Sequence, residues 1–152
     1  MFGDVPIFGS FTCSIDEKGR IMLPSYLKPE KGDTVAVCAS DFSDDCFDVY
    51  PIDMLNEQIT RLDELILTST DDVVVERAES LRRNIFGSVL MELNVDSSRR
   101  LVLNTPVLAR LGITSTKLYG LGERKSIKFF GSADSYEKYT GRPYIKAVRK
   151  HE

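Results

Sequence analysis

The stretch Asp16-Glu17-Lys18-Gly19-Arg20 has a counterpart eighty residues later, Asp96-Ser97-Ser98-Arg99-Arg100. Its flanks correspond as well, because apolar and polar residues alternate before each stretch and three apolar residues follow it. The apolar positions are Phe11, Cys13, Ile15, Ile21, Met22 and Leu23 in the first copy, and Met91, Leu93, Val95, Leu101, Val102 and Leu103 in the second. At the same offset Gly32 corresponds to Gly112 and Thr34 to Thr114. Since the order of features repeats while few residues are identical, the pattern indicates an internal duplication.

Each charged stretch is predicted to be the turn of a β-hairpin. In the first copy, residues 11–15 alternate between apolar and polar, which is typical of a strand with one buried face. Asp16 can accept hydrogen bonds from the backbone N–H groups that follow it, and Gly19 can supply the positive φ of a short loop. We therefore expect Lys18 and Arg20 to project from a rigid tip. The alternative is a solvated turn in which Asp16 pairs with Arg20, and the repetition of the charges argues against it.

At these residues the chain resembles the MraZ family of bacterial regulators, which are built from two domains of the SpoVT/AbrB type. The resemblance rests on D-x-K-G-R-I-x-L-P at residues 16–24 and on D-x-x-x-R-L at residues 96–101. The Met-Phe start, the proline-containing segment 104–108, the Val49-Tyr50-Pro51 strand end and a helical stretch between the repeats also match the family. The resemblance covers nearly the whole chain.

The resemblance implies a mainly β fold with α (α+β), namely a duplicated SpoVT/AbrB swapped-hairpin β-barrel with a helical pair between the repeats. Since neither half has enough large apolar residues for its own core, we expect the halves to interleave as a pseudo-dimer. The implied division is a first SpoVT-AbrB domain at residues 8–54, a connecting helical pair at residues 55–83, a second domain at residues 84–127 that extends to about 140 with a short helix, and a basic tail at residues 142–152.

The family also implies a function. Its members form a ring-shaped, octamer-like homo-oligomer that binds short direct repeats in double-stranded promoter DNA, typically the promoter of the division and cell-wall gene cluster that includes their own gene. A protein of this kind is cytoplasmic and nucleoid-associated, and it requires no cofactor.

The predicted DNA-binding residues lie in the two turns. They are Lys18, Arg20, Arg99 and Arg100, with Asp16, Gly19 and Asp96 shaping the turns. The resemblance makes Arg20 central to DNA contact. The family usually has glycine where this chain has Arg99, and positive φ is costly for any other residue. Two outcomes are therefore open for the second loop: another shape, or the same role with an added phosphate contact. Arg20 is preferred over Arg100 as the base-reading arginine.

Hydrophobic periodicity predicts the remaining elements. Two apolar stripes at helical spacing, Leu55-Ile59-Leu62-Ile66 and Val74-Ala78-Leu81-Ile85, predict two helices separated by residues 68–72. The stripes either pack on each other and on the strands or form a contact between subunits. Strands are predicted at residues 11–15, 20–23, 34–38, 47–50, 89–95, 100–103, 116–120 and 126–130, and a short helix at residues 132–139 that ends at Gly141.

Composition agrees with a soluble cytoplasmic protein. The 152 residues are 42% hydrophobic and 28% charged, and no apolar run reaches the length of a membrane span. The net charge of −3 hides an asymmetry, because residues 1–76 carry −11 and residues 77–152 carry +8. This distribution permits a basic face for DNA. It also suggests a head-to-tail contact between subunits that closes into a ring; ordinary solvated surface charge is the alternative.

The sequence does not indicate an enzyme or a metal protein. The single histidine, His151, leaves no Ser-His-Asp set, and no glycine-rich phosphate loop is present. Cys13, Cys38 and Cys46 lack the spacing of a metal site. Two other functions compete with DNA reading. A protein-interaction or scaffold module would suit the acidic first half and the apolar helical pair, and an AbrB-type antitoxin is disfavoured by the fused duplication.

Overall fold

The chain passes twice through the same order of elements. The structure is a computed structural model that describes residues 6–145. The first pass comprises β1 (Ser10–Ser14), β2 (Arg20–Met22), a 3-10 turn (Ser25–Leu27), β3 (Thr34–Ala39), β4 (Cys46–Pro51) and α1 (Ile52–Thr68). After α2 (Asp72–Ser88), the second pass comprises β5 (Val89–Asn94), β6 (Arg100–Val102), α3 (Thr105–Leu111), β7 (Lys117–Gly122), β8 (Ile127–Phe130) and α4 (Ala133–Thr140). All eight strands and the final helix lie within about two residues of their predicted positions.

The strands pair between the two halves of the chain. The main sheet is antiparallel and has the order β1-β7-β8-β4-β3-β5, while β2 and β6 form a separate two-stranded ribbon. Strands β1 to β4 correspond to β5 to β8 in the second half. When each strand is exchanged with its counterpart, the same orders result, read from the opposite edge. The predicted α+β class is confirmed, and the two halves interleave rather than folding side by side.

An approximate two-fold axis relates the halves and passes through two strand pairs. Ile21 lies opposite Leu101 in the ribbon, and Asp48 lies opposite Lys128 between β4 and β8. Each pair consists of residues eighty positions apart. Asp48 and Lys128 are buried and form an ion pair of 2.8 Å across the axis. The repeat in the sequence is therefore a symmetry of the fold.

The predicted correspondence of Thr34 with Thr114 is wrong. Cys13 lies opposite Leu118, whereas its counterpart Leu93 lies opposite Val35. Leu118 thus corresponds to Val35, and the offset in these strands is 83 rather than 80. The reason is that α3 follows β6, where only a single 3-10 turn follows β2. The longer helix delays the start of β7.

The helix α3 was missed by the sequence pattern, although its ends carry ordinary signals. Asn104 caps its first turn by accepting a hydrogen bond of 2.9 Å from the backbone N–H of Val107, and Pro106 lies in the first turn. Gly112 ends the helix with a φ of 64°. The helix has only seven residues, too few for a clear hydrophobic period.

One main core serves both halves. The largest fully buried apolar residues come from each, among them Ile21, Val37, Phe47, Leu101, Leu118, Ile127 and Phe129. The helix α1 packs on the outer side of β3 through Leu55, which contacts Ala36 and Cys38. The helix α4 covers β8 through the buried ring of Tyr136. None of the helices in residues 6–145 combines the length and apolar content required to cross a membrane.

The two long helices form an antiparallel pair that is only partly covered. Leu55 and Ala78 are the buried members of the predicted stripes, and α1 packs against α2 along their lengths. Several large apolar side chains of the pair remain in solvent: Leu65, Leu67, Val73, Leu81 and Phe86. The first predicted stripe is buried or half-buried throughout, whereas Val74 and Leu81 of the second stripe are exposed. The pair therefore leaves an apolar surface in solvent.

Candidate nucleic-acid interface

The first charged loop is organised around the carboxylate of Asp16. Its Oδ1 accepts hydrogen bonds from the backbone N–H groups of Lys18 (3.0 Å) and Arg20 (2.9 Å), and its Oδ2 accepts one of 2.5 Å from Nε of Arg20. The backbone N–H of Gly19 donates to the carbonyl of Asp16 at 3.0 Å, with Gly19 at a φ of 79°. A short acidic side chain followed by a residue in the left-handed region is what this tight loop requires.

The second loop has the same geometry. Oδ1 of Asp96 accepts from the backbone N–H groups of Ser98 (2.9 Å) and Arg100 (2.8 Å), and Oδ2 accepts from Nε of Arg100 at 3.0 Å. The backbone N–H of Arg99 donates to the carbonyl of Asp96 at 3.0 Å, and Arg99 has a φ of 60°. Of the two outcomes left open by the sequence, a different loop shape is therefore wrong. The loop keeps its shape at the conformational cost of a non-glycine residue in the left-handed region.

Burial explains why glycine is needed in one loop and not in the other. Gly19 is buried, and its carbonyl oxygen accepts a hydrogen bond of 2.9 Å from the backbone N–H of Leu103. A Cβ on Gly19 would overlap the carbonyl oxygen of Leu103 and the side chain of Leu108. Arg99 is exposed to solvent, so a side chain is accommodated there.

The two carboxylates are held in their ionised form. The backbone N–H of Arg20 lowers the pKa of Asp16 most strongly, and the Arg20 guanidinium lowers it further. The pKa of Asp96 is lowered in the same way, first by the backbone N–H of Arg100 and then by its side chain. Each aspartate therefore carries a full negative charge at neutral pH and fixes its arginine through Nε.

This pairing leaves the outer end of each guanidinium available. Among residues 6–145, no group bonds to Nη1 or Nη2 of Arg20 or Arg100. The side chains are 38% and 29% exposed, respectively. A planar fork of N–H donors held at a fixed angle suits an acceptor pair such as a phosphate or a base edge.

The ribbon brings the two arginines onto one face. Arg20 lies opposite Val102, and Met22 lies opposite Arg100. The residues between them, Ile21 and Leu101, are fully buried, so the other four positions form the outer face. Arg20 and Arg100 are diagonal neighbours across the strands, a relation that places Cα atoms about 7–8 Å apart. We call the four residues Arg20, Met22, Arg100 and Val102 the ribbon face.

The predicted site residues thus divide into two groups. Lys18 and Arg99 are exposed in the loops themselves, at the two ends of the ribbon, whereas Arg20 and Arg100 lie on the strands. Arg20 is the first residue of β2, directly after the loop, in agreement with the strand predicted at residues 20–23. Met22 and Val102 were missed as site residues, although the alternation R-I-M and R-L-V after each loop places them on the arginine side.

The two loops differ in charge. Asp16, Glu17, Lys18 and Arg20 sum to zero, whereas the second loop, with Asp96, Arg99 and Arg100 as its only charged residues, sums to +1. The second loop is therefore the more attractive to phosphate. Of the predicted basic tail, Arg142 is exposed, while the structure does not describe Lys146, Arg149 and Lys150; the Met-Phe start also lies outside the described residues.

Two curated proteins resemble the chain over most of its length. Both bear the name Transcriptional regulator MraZ, and they come from strains 195 and BAV1 of Dehalococcoides mccartyi. Each is 28% identical over 106 residues, which cover 70% of this chain and 69% of the relative. The chain is thus similar to transcriptional regulators of the MraZ family over most of its length. No protein-family model matches it. This similarity agrees with the resemblance seen in the two loops.

Proposed function

We propose that the chain is a sequence-specific DNA-binding transcriptional regulator. The ribbon face carries this proposal, since it presents two arginines that aspartates fix through Nε and whose outer nitrogens have no partner among residues 6–145. Guanine offers O6 and N7 as paired acceptors in the major groove, and an arginine bound to both discriminates against a wrong base by about 1–3 kcal/mol. The name of the two MraZ relatives supports a role in transcription rather than in catalysis.

The shape of the site favours the major groove. A two-stranded ribbon is narrow enough to enter that groove, and its outer face would meet the base edges. Lys18 and Arg99, in the loops at either end, would then contact phosphates and position the ribbon. Asp16 and Asp96 would stay behind the arginines and neutralise part of their charge, so affinity rests on both loops acting together.

We propose that several copies act together. One ribbon makes too few contacts for tight binding, whereas an octamer-like ring could place ribbons on direct repeats spaced about 10 base pairs apart. The exposed apolar side chains of the helical pair, above all Leu67 at 83% and Val73 at 69%, offer a surface for the contact between copies. The acidic first half and basic second half favour a head-to-tail arrangement.

We also propose the fold, the target promoter and the cellular location that the resemblance to the MraZ family implies. The palindromic strand order supports a duplicated SpoVT/AbrB swapped-hairpin barrel, with domains at residues 8–54 and 84–127 and the helical pair at residues 55–83 between them. The target would be the promoter of the division and cell-wall gene cluster, including the protein's own gene. Such a protein would act in the cytoplasm, on the nucleoid.

A second candidate function follows from the helical pair. Its exposed apolar side chains also suit a protein-interaction module, in which the charges of the ribbon face would only keep the protein soluble. Excess unlabelled nucleic acid separates the two functions, because it would displace labelled DNA from a DNA reader but leave a bound protein partner in place.

The test is fluorescence anisotropy with the DNA upstream of the protein's own gene. We expect wild type to prefer this DNA over a scrambled sequence, and Arg20→Ala to lose affinity by about tenfold to a hundredfold. Arg77→Ala is the matched control, because Arg77 is exposed on α2, far along the chain from the ribbon. Equal binding of both sequences by wild type would contradict the proposal.

A further inference from the structure

Half of the ribbon face is apolar. Met22 and Val102 are 48% and 40% exposed, and they occupy the diagonal that crosses the one between the arginines, each directly opposite an arginine. Single exposed apolar residues are common on proteins. Here two of them occupy equivalent positions in the two halves of the chain, on the same face as the two arginines.

We propose that Met22 and Val102 are specificity-determining residues that contact the C5-methyl groups of thymines; this inference rests on the proposed DNA binding. The thymine methyl is the only apolar group that a base pair presents in the major groove. A ribbon that brings Arg20 and Arg100 to guanine edges necessarily brings Met22 and Val102 to the neighbouring base edges, because all four share one face. Met22 and Val102 cannot satisfy the hydrogen-bonding groups of a base edge, whereas they can make an apolar contact with a thymine methyl.

The same positions give the ribbon a direction on DNA. The approximate axis through Ile21 and Leu101 would present equal halves to the two DNA strands if the chain were a true dimer. The two halves of the ribbon face are not equal, because β2 has the long, flexible Met22 at the position where β6 has the short, branched Val102. The two halves therefore read different steps, and one chain has a single preferred orientation. Direct repeats, which all point the same way, require such a reader.

Replacement of single thymines by deoxyuridine tests the inference, since it removes the methyl and keeps the base pairing. Each thymine of the bound upstream fragment is replaced in turn, and affinity is measured for wild type, Met22→Ala and Val102→Ala. We expect wild type to lose about threefold to fivefold at one or two positions, the effect of uncovering one methyl. The matching variant should be insensitive at its own position. Ile145→Ala, exposed after α4 and outside both the ribbon face and the helical pair, should behave as wild type.

Two results would overturn the inference. In the first, wild type binds its upstream DNA with an Arg20-dependent affinity, yet no replacement changes it or both variants keep the sensitivity of wild type. In the second, the alanine variants change the oligomeric mass, and no replacement of thymine by deoxyuridine changes the DNA affinity. That result would place the two side chains in a contact between copies. Failure of the proposed function looks different, because wild type would then bind upstream and scrambled DNA equally.

Discussion

Gly19→Ala should destabilise the protein by about 2–4 kcal/mol. The backbone of Gly19 has a φ of 79°, and a left-handed residue other than glycine costs about 1–2 kcal/mol. The new Cβ would also overlap the carbonyl oxygen of Leu103. Moving that strand away would weaken the hydrogen bond of 2.9 Å from Leu103 N–H to Gly19, worth about 0.5–1.5 kcal/mol. Contact with Leu108 adds to the cost.

Urea unfolding at equilibrium measures this change through the midpoint at constant slope. A loss of that size also lowers Tm by roughly 4–16 °C in a chain of this length. Arg99→Gly is the matched control in the second loop. This substitution removes the cost of a non-glycine residue in the left-handed region, but it also increases the conformational entropy of the unfolded chain. We therefore expect the free energy of unfolding to stay the same or to rise by up to about 1 kcal/mol. A Gly19→Ala variant as stable as wild type would refute the account of why only this loop needs glycine.

Three further outcomes follow from charge and burial. The folded pKa values of Asp16 and Asp96 lie below their unfolded values. The two ionised carboxylates therefore stabilise the fold fully above about pH 4, and this contribution is lost as pH falls through the folded pKa values. In urea unfolding, the stability difference between wild type and the double variant Asp16→Asn, Asp96→Asn should therefore vanish in acid. Lys128→Met alone should cost about 3–5 kcal/mol by leaving Asp48 buried without its partner, whereas adding Asp48→Leu should restore most of it in urea unfolding. Burial raises the pKa of the Cys13 thiol to about 12, so its reaction with a disulfide reagent at pH 8 should be slow until urea unfolds the protein.

The sequence predicted the elements well because their signals are local. Alternation marked the strands, the stripes beginning at Leu55 and Val74 marked the helical pair, and Gly141 marked the end of α4. The approximate two-fold symmetry could also be predicted, since the two charged loops repeat in the sequence at an offset of eighty residues. The missed helix α3 shows the limit: its cap Asn104 and stop Gly112 are visible, but seven residues are too few for a period.

The candidate site could be predicted in part. The sequence singled out Asp16, Arg20, Asp96 and Arg100 because charge repeats at one spacing, and their role in DNA binding stays a prediction. Their arrangement was not found, because the pairing of β2 with β6 joins segments eighty residues apart and no local pattern specifies it. The tolerance of Arg99 for a positive φ likewise depends on exposure, which only the packed structure supplies.

We propose that both arginines of the ribbon face read DNA together. Anisotropy with the upstream DNA, across a salt series, should be measured for Arg20→Ala, Arg100→Ala and the double variant. We expect each single variant to lose about tenfold or more, and the double variant to bind upstream and scrambled DNA equally at unchanged oligomeric mass. Wild-type affinity in Arg100→Ala, or a preference for the upstream sequence that survives in the double variant, would contradict the claim.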